Sequence, residues 1–325
     1  MSSLSAAVVK QLARECGFEL AGVACAAPLA EADWYQEWVG RGYAGEMHYL
    51  ADDRAGVRSD PRRLLPTAKS VLCLGKLYNC PEPYSTGFAE PGRAWISRYA
   101  WGEDYHRVLR KAVKRLVARL REICGQAFDW KACVDTAPLL ERAYARRAGL
   151  GWIGKNSCLI NQGMGSWFFL AELLVSLEIE PDRPPPDRCG SCTRCMDACP
   201  TGAIIPTRRQ EGPTYTVDSN RCISYLTIES RGDIPVELWP SLGRHVFGCD
   251  ICQDVCPWNR KAPVTGDPAF RPRHFAPRLD VLERLEPGDF RRLFGGTAIV
   301  RTGPGGLQRN VTVALGNQGR KLKWK

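Results

Sequence analysis

Apolar positions in the first 180 residues alternate between a helical and a strand-like period. From Ala6 they recur at helical spacing to about Cys16, behind Ser2 or Ser3 as a cap, and Gly17 stops the run before the strand-like FELAGVACA. SVLCLGKL (70–77), FDWKACVD (128–135) and the WFFLAELLVSL segment read as buried strands. Between the first two of these, WGEDYHRVLRKAVKRLVARLREIC places Val108, Leu109, Val113, Leu116, Val117 and Leu120 along one face of a long helix. Helices interleaved with strands predict an α/β or α+β domain over residues 1–180.

PDRPPPDR (181–188) is a proline-rich boundary, and the cysteine-dense segment it opens runs to about 262. Residues 263–325 turn basic and helical, a short tail that could open a HEAT-like repeat. The best membrane candidate, WFFLAELLVSLEI, is short and interrupted by Glu172 and Glu178. With no export signal in view, the chain reads as cytoplasmic, without a membrane partner, and is taken as a monomer.

Fifteen cysteines in a reducing compartment point to metal rather than disulfides. Four of them, in CGSCTRCMDACP, are spaced by two, two and three residues and closed by proline, the ferredoxin pattern whose fourth cysteine ligates a second cluster. The partner set is CDICQDVCP, preceded by the solitary Cys222. Crossing the ligands assigns one [4Fe-4S] cluster to Cys189, Cys192, Cys195 and Cys256, and another to Cys199, Cys222, Cys249 and Cys252. Paired zinc sites are the alternative, but they have no use for the repeated Cys-Pro ending. The other seven cysteines, Cys158 among them, read as small core residues.

A formal charge of +10 favours a polyanionic partner, most often nucleic acid. GLGWIG (149–154) fits a dinucleotide fingerprint, but a helix-like segment precedes it and no amphipathic helix follows. Gly149 reads as a helix stop, and Gly151 and Gly154 as a turn that lets backbone approach something flat or bulky. Asp135 follows the apolar end of a strand, flanked by Val134 and Ala137. Poor solvation there would raise its pKa and suit it to donate a proton; a helix-start role ahead of Pro138 fits the spacing equally well.

VRSDPRRLLPTAKSVL, SRYAWGEDYH, VDTAPLLERAYARRAGLGWIGKNSCLIN, RCISYLTIESRGDIP and GCDICQDVCPWN, together with the first cysteine run, resemble the epoxyqueuosine reductases over nearly the whole chain. The resemblance implies a cobalamin between the first domain and a ferredoxin-like domain with two [4Fe-4S] clusters. It also implies reduction of an epoxide on a modified guanosine at the tRNA wobble position, the last step of queuosine synthesis, with electrons from an external donor. Asp135 takes the family's proton-donor position. Arg58, Arg98, the stretch Lys155, Asn156, Ser157 and Cys158, and Ser224 and Asp250 match segments that line the cofactor, though Arg58 also fits a solvent-facing charge and Asp250 a hydrogen bonder of the cluster loop.

DYHRVL departs from the motif by which another cobalamin class ligates cobalt through histidine, so His106 is expected on a helix face. The basic residues from Arg107 to Arg121 form either a solvated stripe or, with Arg62, Arg63 or the basic C-terminal region, a tRNA surface. A reductive dehalogenase would share the cofactors but has no use for the charge. A ferredoxin-like electron-transfer module would leave the first domain without a task.

Overall fold

The computed structural model describes residues 4–207 and 214–318. Its centre is a four-stranded sheet of β1 (Leu20–Cys25), β2 (Ser70–Leu77), β3 (Trp130–Cys133) and β4 (Phe168–Val175), in the order β1-β2-β4-β3. These are the strands that the apolar runs predict. All three pairings are antiparallel, so this half of the chain is α+β and not a doubly wound parallel sheet. Complete burial hid the distinction, since a strand covered on both faces loses its polar alternation whichever way it pairs. β2 is buried at all eight positions.

Side-chain alternation splits the core into two layers. Leu72, Leu74, Ala171 and Leu173 face α1 (Ala6–Glu15) and α2 (Tyr105–Cys124), meeting Val9, Leu12, Leu109, Val113, Leu116 and Leu120. Val71, Cys73, Cys133 and Leu174 face the short α3 (Glu141–Arg147) through Ala143, Tyr144 and Ala145. Ser5, whose hydroxyl accepts from Val8 N at 3.4 Å, caps α1 in place of the expected serines at 2 and 3, which fall outside the described residues. The proline-rich linker is pinned to the sheet where Asp182 accepts from Val23 N (2.9 Å) and pairs with Lys10.

Two short helices, α4 (Arg194–Asp197) and α5 (Ile251–Asp254), carry cysteines of the two runs. The segment after 263 is no free-standing appendage: Leu279, Leu282, Phe290, Phe294, Leu307 and Val311 share one core with Trp95, Ile96, Trp101, Val246 and Phe247. The terminal basic residues 319–325, offered above as a tRNA surface, lie outside the described residues. No helix among the described residues is long and apolar enough to cross a membrane.

Candidate active site

Among the described residues no group of three or more His, Cys, Asp or Glu side chains is arranged to hold a metal ion; the eight cysteines sort into two neighbourhoods by which thiol perturbs the titration of which. Around Cys195 stand Cys189, Cys256 and Cys192; around Cys249 stand Cys222 and Cys199, and Cys252 feels Cys249 and Cys222. Backbone and indole N–H groups already point at sulfur: Trp152 Nε1 donates to Cys189 Sγ (3.4 Å) and Ala203 N to Cys199 Sγ (3.3 Å). Cys158, a ninth thiol, lies beside Cys252.

Several residues expected to line a cofactor brace these loops. Lys155 Nζ donates to Gly190 O (2.8 Å) and Cys192 O (3.0 Å), and Asn156 Nδ2 to Cys252 O (3.4 Å). Asp250 is buried and accepts from Trp95 Nε1 (3.0 Å), Arg98 N (2.8 Å) and Ser97 Oγ. The Arg98 guanidinium turns inward: its Nη atoms donate to the carbonyls of Cys80, Glu82 and Pro83, it lies over the rings of Tyr84, Trp101 and Trp167, and its buried Nε is left without a partner. Its side chain therefore anchors the 80–83 loop.

Gly149 (φ +81°) ends α3 as expected. At Gly151 a Cβ would sit 2.1 Å from Ile160 O, so what the backbone approaches there is its own hairpin, Trp152–Ile153 against Leu159–Ile160, and not a flat ligand. That hairpin presents Lys155, Asn156, Ser157 (φ +63°) and Cys158 towards the cysteines.

Asp135 keeps 57% of its side-chain surface accessible, yet burial is the largest influence on its titration. It is linked to the second thiol group through Tyr99, which senses Asp135, Glu229 and Asp250, the last a neighbour of Cys249. Arg301 forms a two-pronged pair with Glu229 (3.0 and 2.8 Å) and stacks 5.5 Å from the Tyr49 ring centroid. Arg58 is buried, donates to Tyr49 O (3.1 Å), and leaves Nη1 without a partner; Ser224 is half-buried beside Cys222.

His106, expected merely on a helix face, is drawn into this site. Asp104 caps α2 through His106 N (3.0 Å) and holds ring Nδ1 at 2.7 Å, which turns Nε2 to Asp135 Oδ2 at 3.2 Å. Burial alone would lower the His106 pKa, but the two carboxylates reverse this and raise it to about 9. The expected rise at Asp135 is overturned for the same reason. Burial raises its pKa, but His106, the Tyr105 hydroxyl and Arg301 outweigh burial and hold the carboxyl below its ordinary value. At neutral pH the proton of this pair rests on the imidazole.

Behind Asp135 are two further carboxyl groups that no sequence pattern singled out. Asp135 itself adopts φ +57°, and its N–H donates to Glu141 Oε1 at 2.7 Å. Glu172, in the middle of β4, is 0% exposed, and no donor reaches its oxygens. It faces Glu141, with which it can share a hydrogen bond once one of the two carries a proton; burial and the Asp135 charge push Glu141 up to about 7, and burial with the Glu141 charge raises Glu172 well above the carboxylate range.

Residues 58–136 match the family model described as epoxyqueuosine reductase QueG, DUF1730, and residues 188–259 match a 4Fe-4S double cluster binding domain. An epoxyqueuosine reductase of Xanthomonas campestris pv. campestris is 41% identical over 321 residues, covering 96% of this chain and 87% of that protein. A crystal structure of an epoxyqueuosine reductase with an epoxyqueuosine-modified tRNA-Tyr stem loop superposes with a TM-score of 0.84 at 32% identity, covering 95% of this chain and 80% of the other. The Bacillus subtilis enzyme, in a structure whose catalytic aspartate loop is swung out of the active site, gives a TM-score of 0.83 at 31% identity over the same shares of the two chains.

Proposed function

The chain belongs to the epoxyqueuosine reductase family: it is an oxidoreductase that converts epoxyqueuosine to queuosine, and we propose that it does so on the wobble nucleotide of tRNA, with cobalamin held between its two iron-sulfur clusters and Asp135. We place this work in the cytoplasm, where cluster thiolates stay reduced before loading.

In the proposed ligand sets, Cys189, Cys192, Cys195 and Cys256 hold one cluster and Cys199, Cys222, Cys249 and Cys252 the other. The grouping of thiols and the N–H donors aimed at Cys189 and Cys199 support this, since hydrogen bonds to sulfur help set cluster potential. Cobalamin, when bound and reduced, supplies a cobalt centre able to deliver electrons to the epoxide carbon. The surroundings of Asp135 suit such a group because the Asp135 carboxylate is exposed and Arg58, which donates to Tyr49, a residue that senses Asp135, holds a buried nitrogen lacking a protein partner. Arg58, Ser157, Cys158 and Ser224 are the wall residues we assign towards it. Arg98, Lys155, Asn156 and Asp250 serve it indirectly by fixing the loops.

Removing the epoxide oxygen as water takes two electrons and two protons and leaves an alkene. His106 holds a proton at Nε2, 3.2 Å from Asp135 Oδ2, so the pair can pass it to an oxygen arriving at the exposed carboxylate. This juxtaposition, a charged imidazole against an exposed carboxylate, carries the reading. The wobble base must be splayed out to reach it, as other base-modifying enzymes require. Phosphate contacts fall to Arg62 and Arg63, and to Arg110, which touches Thr136 beside Asp135 (3.2 Å).

The test is to incubate reduced protein, with and without cobalamin, with tRNA carrying epoxyqueuosine and to analyse the nucleosides. Queuosine is expected only when cobalamin is present. Equal conversion without cobalamin would remove the cofactor from the account, and unchanged epoxyqueuosine in both arms would remove the tRNA reading.

A further inference from the structure

A fully buried acid that no donor reaches is costly, and such groups persist mainly where they serve function. Glu172 is one. It sits opposite Cys73 and Cys133 in the sheet, on the face that packs against α3. Strand alternation thus aims it at the first residue of that helix, Glu141, whose Oε1 accepts the N–H of Asp135 at 2.7 Å. Asp135 meanwhile occupies a left-handed backbone conformation, which is unfavourable for a non-glycine residue and needs outside support. The other backbone ties of this turn are short-range, Thr136 N to Val134 O (2.6 Å) and Leu139 N to Ala137 O (2.8 Å), while side chains of α2 reach it from the other side, His106 at the Asp135 carboxylate and Arg110 at the Thr136 hydroxyl (3.2 Å). The Glu141 contact is what fastens the turn to the helix behind it.

We propose that Glu141, backed by Glu172, is the positioning residue that holds the Asp135 turn in place, so that the Asp135 carboxylate meets both His106 and the departing oxygen. The inference rests on the proton-donor reading of Asp135. Glu141 touches neither substrate nor cofactor; it acts through the backbone of Asp135. Glu172 supports Glu141 from the core side, as a neutral acid that can turn an O–H towards the Glu141 carboxylate. Two neighbouring ionised carboxylates with no cation between them would repel one another, so the arrangement is stable with one proton on the pair.

Two readouts test this, and the first needs neither substrate nor cobalamin. In amide hydrogen exchange of the cluster-loaded protein, Glu141→Ala should speed exchange in the segment 134–140 by about tenfold, the scale of one lost hydrogen bond, with the rest of the sheet unchanged. Glu141→Gln keeps an acceptor oxygen at the same reach and should exchange as wild type. In turnover of epoxyqueuosine tRNA, Glu141→Ala should lower kcat at least tenfold with KM within about threefold, and Glu141→Gln should restore kcat. Glu172→Gln, still a donor to Glu141, should keep both properties, whereas Glu172→Leu should loosen the segment. Should the alanine variant fail to fold, Glu141→Asp, one methylene too short to reach, carries the same expectations. Unchanged exchange in segment 134–140 without the Glu141 acceptor would overturn the proposal whatever the substrate proves to be. Faster exchange with unchanged kcat would overturn its catalytic half. Absence of turnover in the wild type as well would instead count against the proposed function.

Discussion

Asp135 and His106 stand 3.2 Å apart, and Asp104 closes the far side of the imidazole at 2.7 Å. Two carboxylates around one histidine stabilise its cation, so under the proposed function the proton that releases the epoxide oxygen would be stored on nitrogen and passed through Asp135. Because the His106 pKa is raised above its free value, the stabilisation from these contacts is complete below about 6.5 and is lost as pH rises through about 9. Turnover should fall over the same upper window. His106→Gln should lower kcat roughly 10²-fold or more and remove that basic limb from a single-turnover pH profile. A variant that keeps a limb near 9 would show that another group holds the proton. Asp135→Asn should retain iron and cobalamin binding but lose most turnover, about 10²-fold, measured by nucleoside analysis; retained turnover would take Asp135 out of the donor role.

At the scale of elements, the hairpin at Trp152–Ile153 and Leu159–Ile160 clamps the α+β half to the first cysteine loop through the Lys155 ammonium and two carbonyls. Lys155→Met removes both hydrogen bonds while keeping much of the side-chain bulk. It should leave the sheet intact and speed chelator-driven loss of visible cluster absorbance several-fold, about what two exposed charge-assisted bonds contribute. The helix of Tyr105–Cys124 and the four main strands were legible because their apolar spacing states their period. Strand direction was not, because β2 and β4 are buried almost throughout and carry no alternation. The double-cluster segment was legible from cysteine spacing alone, whereas the carboxyl chain behind Asp135 was not. Glu172 stood out in the sequence only as a charge interrupting an apolar run, and nothing in that run announces that strand register will aim it at Glu141. His106 was likewise obscured, since Asp104 and His106 are neighbours in sequence but Asp135 reaches them only through tertiary packing. The basic stripe of α2 proved partly structural: Arg115 donates to Cys16 O (3.0 Å), and Arg119 pairs with Glu15 and Glu122.

Over the whole molecule, the crossed assignment has a consequence for folding. In the proposed ligand sets Cys256 joins Cys189, Cys192 and Cys195, while Cys199 joins the later cysteines, so each cluster would tie an early segment to a late one. Cys256→Ala should therefore cost one cluster and keep the other, reducing iron to about four atoms per chain with the α+β core still folded. Such a protein should still bind tRNA but lose turnover, since one step of the electron path is gone.

The most direct measurement is the metal and acid-labile sulfide content of the wild-type chain purified without oxygen. Two cubanes on these eight thiols predict about eight iron and about eight sulfide per chain, with negligible zinc. One or two tightly held zinc ions with little iron would contradict the account, because no electron could then reach the site where Asp135 and His106 hold their proton.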